Sequence, residues 1–123
     1  MATSVKLGRI IELVHGQVLT PPANLELDVR GAFGADLMSD VLAAVKPGAV
    51  LLTGLCSQQA IRTAQVTDIV AVIFVGGKEP FAEVLAAARD GSIPLFGTPY
   101  CMYEACGRLY QAGVPVSCGK LAR

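Results

Sequence analysis

Residues 49–77, AVLLTGLCSQQAIRTAQVTDIVAVIFVGG, decide the fold of this chain. Ala49–Thr53 is a short apolar strand followed by Gly54, and Ser57–Val66 has helical spacing with Ala60, Ile61 and Ala64 on one side. Ile69–Val75 is an unbroken apolar run rich in β-branched residues, as expected of a strand buried on both faces. Gly76-Gly77 breaks it. Strand, helix and strand in this order predict a parallel pair joined by a right-handed crossover.

The alternation continues in both directions. Pro80 opens a helix through Arg89, Asp90-Gly91 stops it, and Ile93–Phe96 is the next strand. The stretch 98–113, TPYCMYEACGRLYQAG, reads as the last helix, with Thr98 as N-cap, Pro99 in the first helical position and Gly113 as the stop. Val114–Val116 adds an edge strand, since Pro115 cannot donate to a ladder. Upstream, residues 35–46 (ADLMSDVLAAVK) predict a helix with Leu37, Met38, Val41, Leu42 and Val45 on its apolar face and Lys46-Pro47-Gly48 at its end. Leu25, Leu27 and Val29 alternate with charged residues as a strand with one wet face. Val18-Leu19 is a shorter strand closed by Thr20-Pro21-Pro22, and an amphipathic segment over Val5–Val14 stops at His15-Gly16. The fold class is α/β: a single domain over residues 1–123 with a mostly parallel sheet and flanking helices.

Composition narrows the function. The chain is 53% hydrophobic and 16% charged, so part of its apolar surface is expected to meet another copy in a homo-oligomer. Ten basic and ten acidic residues cancel, and no Lys/Arg cluster provides the electrostatic footprint of a nucleic-acid or membrane-surface binder. No apolar run is long enough to span a bilayer. The opening MATSVKLGRIIELVHG lacks the pattern of a signal peptide, so a cytoplasmic location is expected, with free thiols rather than disulfides.

In a parallel sheet, ligands bind beyond the carboxyl ends of the strands. The loops there carry Thr53, Gly54, Ser57 and Gln58 after one strand, Gly76, Gly77 and Lys78 after the next, and Thr98 after the last. Glycines that admit close backbone approach, helix N-termini and the Lys78 charge suit a phosphate or carboxylate ligand. Loop geometry alone also demands glycine, and no GxGxxG or GxxxxGK[ST] pattern is present. Asp36 and Asp40, four apart beside Ser39, read either as an acid–base or cation-binding pair or as a solvated helix face. His15, the single histidine, has no Ser/His/Asp or Cys/His grouping around it in sequence, which leaves little basis for hydrolytic chemistry.

The cysteines show no CxxC spacing, and no metal or cofactor is expected. At about 100° per residue, Cys101 and Cys106 point roughly 140° apart on a helix and cannot share one metal. Cys106 joins Met102, Ala105 and Leu109 on an apolar stripe. Cys101 falls in the first helical turn, where the dipole raises thiol reactivity, and is the candidate reactive thiol.

The run LLTGLCSQQAIRTAQVTDIVAVIFVGGKEPFAEVLAAARDGSIPLFGTPY, preceded by GAFGADLMSDVLAAVKPGAVLLTG, resembles the DRTGG domain over about residues 5–116. Gly76-Gly77 matches the Gly-Gly of the name, Val75 stands where threonine is expected, and the loop Gly54-Leu55-Cys56-Ser57 lacks the Asp-Arg pair. The resemblance implies a fold like that of the HPr kinase/phosphorylase N-terminal domain and a non-enzymatic regulatory role. It also implies a homodimer and, because stand-alone members are encoded near iron-only hydrogenase subunits, a hydrogenase-associated protein partner. The expectation is a regulatory or accessory module that binds a partner protein or a small anionic metabolite, such as a phosphate compound or nucleotide, at the strand-end loops. The alternatives are a small thiol-dependent redox protein or enzyme using Cys101, and a structural subunit of a hydrogenase-type assembly.

Overall fold

A computed structural model describes residues 4–119. Its centre is a five-stranded sheet in the order β2-β7-β6-β5-β4, with β2 at Gln17–Val18, β4 at Gly31–Gly34, β5 at Ala49–Thr53, β6 at Ala71–Phe74 and β7 at Leu95–Gly97. The run β4 to β7 is parallel throughout, and β2 closes the far edge antiparallel to β7, with Gln17 opposite Gly97 and Val18 opposite Phe96. A small antiparallel pair, β1 (Val5–Lys6) with β3 (Asp28–Val29), lies outside this sheet.

Because each parallel strand lies beside the one before it, right-handed crossovers put their helices on the same face. These are α2 (Met38–Ala44), α3 (Gln58–Val66) and α4 (Ala82–Asp90). The other face is covered by α1 (Leu7–Leu13) and α5 (Met102–Gln111). The strands are therefore apolar on both sides, and their residues alternate between two cores. Leu51, Val72, Phe74 and Leu95 pack with α2–α4, whereas Val50, Leu52, Ile73 and Phe96 pack with α1 and α5.

The tandem units expected over residues 49–97 are present, with Ala60, Ile61 and Ala64 of α3 buried as read from the sequence. Five local readings are corrected. The alternating stretch 25–29 forms a strand only at Asp28–Val29, because its partner β1 gives way to a helix at Leu7 and offers two residues to pair with. Residues 31–34, not read as a strand, form β4 along the open edge of β5. The helix expected over 35–46 begins at Met38 and buries Met38, Val41 and Ala44, so Leu37 and Leu42 face outward and Asp36 precedes the helix. The pair Asp36 and Asp40 therefore does not share a helix face.

The fourth concerns the last helix. Its N-cap is Cys101, in extended backbone, and Thr98 is buried three residues earlier. After α5 the chain returns to the β4 edge, where Val116 forms a single parallel bridge to Ala32, in place of a full edge strand at 114–116.

Candidate functional site

The carboxyl ends of β4, β5, β6 and β7 lie side by side and present Asp36, Thr53-Gly54, Gly76–Lys78 and Thr98 along one rim. Each loop is tied to its neighbours. The Asp36 carboxylate accepts the Gly54 N–H at 2.6 Å and the more distant Thr53 hydroxyl at 3.5 Å, and the Thr53 hydroxyl oxygen accepts the Leu55 N–H at 3.1 Å. Lys78 Nζ donates to the Gly54 carbonyl at 2.5 Å. Both polar groups of Gly54 are thus bound by opposite charges. A Cβ on this residue would lie 3.2 Å from both Asp36 Oδ1 and Lys78 Nζ, tighter than an ordinary contact.

Gly76 and Gly77 take φ values of +83° and +67°, a left-handed pair that side chains disfavour. Their N–H groups donate to the carbonyls of Tyr100 at 2.7 Å and Thr98 at 2.9 Å. These two amides hold the β7–α5 loop and are not open to an anion. Thr98 is 2% exposed, and its hydroxyl donates to the Val14 carbonyl at 2.6 Å while accepting the Tyr100 N–H at 3.2 Å. The end of α1 is thereby fastened to the rim. Next to it, Tyr100 Oη lies 2.7 Å from His15 Nδ1, and the Arg108 guanidinium sits 4.1 Å above the Tyr100 ring.

These ties frame a cleft of about 440 Å³ beyond β6 and β7. Gly77, Lys78 and Thr98 line it with His15, Gln17, Glu79 and Pro99, while Leu19, Pro80 and Leu85 give it an apolar wall. The cleft contains side chains the sequence reading left out. His15 and Gln17 reach it because β2 pairs with the end of β7, a contact between segments about eighty residues apart that no local pattern announces. Glu79 follows the Lys78 already singled out, and a charged dipeptide after Gly-Gly was the available signal.

Ser57 and Gln58 do not reach this cleft. They lie at the start of α3 beside Arg62 and Phe81, on a separate open groove, and the Ser57 hydroxyl is buried with no hydrogen-bond partner among the described residues. Cys56 lies there too, its thiol pushed up by burial, with the Lys78 charge pulling the other way. Cys106 is half-buried with Sγ 3.6 Å from Met102 Sδ, and burial raises its pKa. Cys101 is exposed at the cap of α5. Among the described residues no three His, Cys, Asp or Glu side chains are placed to hold a metal, and no helix is long and apolar enough to cross a membrane.

A second hollow, of about 410 Å³, is apolar and lies between α5 and the β4 edge. Tyr103 and Tyr110 border it, 90% and 72% exposed, with Val116 beside them.

The molecule is thus an α/β domain with a mostly parallel sheet, a polar rim at the strand ends and no preassembled metal centre among the described residues. No protein-family model and no curated protein sequence matches the chain. Among solved structures it matches the CBS and DRTGG domains of the regulatory region of Clostridium perfringens pyrophosphatase, complexed with the activator diadenosine tetraphosphate. The TM-score is 0.70 at 16% sequence identity, over 91% of this chain and 48% of that one, so the chain spans about half the length of the structure it resembles. The DRTGG resemblance drawn from the sequence therefore has a counterpart in three dimensions, as a likeness of fold.

Proposed function

We propose that this chain is a non-catalytic regulatory module that binds a small anionic metabolite, of phosphate or nucleotide type, in the cleft beyond β6 and β7. The observation that carries this reading is the convergence of Lys78 and His15 on one cleft with an apolar wall at the strand ends. Its size falls at the lower end of ligand pockets, which run from about 300 to 1,000 Å³, and suits a mononucleotide or a phosphorylated metabolite. Lys78 supplies charge, His15 retains Nε2 for a ligand once Nδ1 is engaged by Tyr100, and Gln17 supplies an amide. Gly77 and Thr98 shape the wall through the ties described above. A regulatory role is also supported by the structural match, which belongs to a regulatory region crystallised with a nucleotide activator. The module acts as a cytoplasmic homodimer in this reading, with the hollow between Tyr103 and Tyr110 as the contact between copies.

Calorimetric titration with inorganic phosphate, AMP and ATP tests the cleft. Binding of at least one, abolished in Lys78→Ala and retained in Gln58→Ala, is the expected outcome. Absence of binding by all three, or binding that survives Lys78→Ala unchanged, would overturn it.

A further inference from the structure

We propose that Lys78 is a two-position switch, held by the Gly54 carbonyl when the cleft is empty and drawn away from it by an anion in the cleft. This inference rests on the cleft being the ligand site and adds how that site is regulated. Lys78 lines the cleft and at the same time donates to Gly54 O at the end of a different strand. Its stem passes Gly76, where a Cβ would lie 3.9 Å from Cε, and the residue is exposed. A lysine ammonium is a point charge on a flexible stem, suited to exchanging one acceptor for another.

The holding position is built from two sides. Asp36 accepts the N–H of the same glycine whose carbonyl accepts Lys78, and both charged groups lie equally close to the position of the missing Cβ. The carboxylate therefore adds attraction to the carbonyl contact and favours the latched position. An anion in the cleft has to compete with this latch, so its apparent affinity is reduced by the fraction of Lys78 that is free. Release changes the β5–α3 loop, because Gly54 leads through Cys56 and Ser57 into α3. Cys56 lies in the field of the same ammonium. Occupancy at β6 and β7 is thereby transmitted to the α3 side of the sheet.

The test is ¹⁵N NMR of the full chain titrated with inorganic phosphate. Gly54→Ala is the principal variant: it changes no charge, its backbone is outside the left-handed region, and its methyl would lie 3.2 Å from both Nζ and Asp36 Oδ1, a contact that disfavours the latched position. Asp36→Asn weakens the latch by another route, with Asp40→Asn as the control for loss of one negative charge. In wild type, phosphate is expected to move the Gly77 and Lys78 amides and, with the same midpoint, the Leu55 nitrogen bonded to the Gly54 carbonyl carbon. In Gly54→Ala, affinity is expected to rise about threefold or more as the latched fraction falls, and the Leu55 response should vanish. Asp36→Asn should tighten binding more than Asp40→Asn does. Wild-type affinity in both Gly54→Ala and Asp36→Asn would overturn the switch and leave the cleft standing. No binding to any form would remove both.

Discussion

Replacing Thr98 separates two descriptions of the same residue. As a helix N-cap it would accept Asp with no loss, since Asp and Thr both cap well. As the buried tie described above it would not. Thr98→Val keeps the shape but deletes the hydroxyl, leaving the Val14 carbonyl and the Tyr100 N–H without their partner. A buried polar group left unsatisfied costs about 1–3 kcal/mol, and Tyr100 is only half-buried, so about 2–3 kcal/mol is expected for the pair. With a urea slope on the order of 1–3 kcal/mol per molar, the unfolding midpoint should fall by about 0.7–3 M. Thr98→Ser keeps both hydrogen bonds and loses one methyl, worth about 1 kcal/mol. Thr98→Asp buries a carboxylate against a carbonyl oxygen and should be the least stable of the three. Urea denaturation followed by circular dichroism gives the ranking. A midpoint for Asp at or above wild type, or a shift below about 0.3 M for Val at an ordinary slope, would refute the tie.

Burial raises the Cys106 pKa, so the folded chain favours the protonated thiol. Its contribution to stability is present below the ordinary thiol pKa of 9.0 and is lost as pH rises through the higher folded value. Urea midpoints from pH 7.5 to 10 should therefore fall more steeply in wild type than in Cys106→Ala, and parallel profiles would refute this. If the α5 hollow is the contact between copies, Tyr103→Glu with Tyr110→Glu should halve the mass measured by sedimentation at a stability near wild type. An unchanged mass would exclude that face as the interface.

The legible part of the fold is the part whose strands are buried on both sides. Ile69–Val75 declares itself because a strand between two helical layers has no wet face to interrupt its apolar run. Gly31–Gly34 carries no such signal. Its composition is glycine, alanine and one phenylalanine, and it is a strand because β5 offers an open edge to pair with. The alternation at Leu25–Val29 is genuine, but a ladder extends only as far as its partner, and β1 supplies two residues before α1 begins. In α2 the periodic apolar face includes more leucine than the short helix can bury. With the first turn at Met38, the inward stripe is Met38, Val41 and Ala44, and Leu42 is carried about 100° away from Val41.

The candidate site divides in the same way. Topology places every strand-to-helix loop on one rim, and this much follows from the order of elements. What each loop does with its polar groups depends on contacts made across the sheet. In sequence, Gly54, Gly76 and Gly77 read as points of close backbone approach before helix starts, whereas in the fold their N–H groups are bound by Asp36, Tyr100 and Thr98. The backbone of this rim is thus used in holding the loops together, and a ligand in the cleft must be recognised chiefly by side chains. That shifts the weight onto Lys78, His15 and Gln17, of which two come from the β2 side. A rim whose amides are internally bound also links its loops, and in the proposed switch an anion that moves Lys78 acts on Gly54, and through Gly54 on Asp36 and the start of α3. In the proposed switch, the glycines that first suggest an anion cradle become the joints through which binding at one strand end is felt at the next.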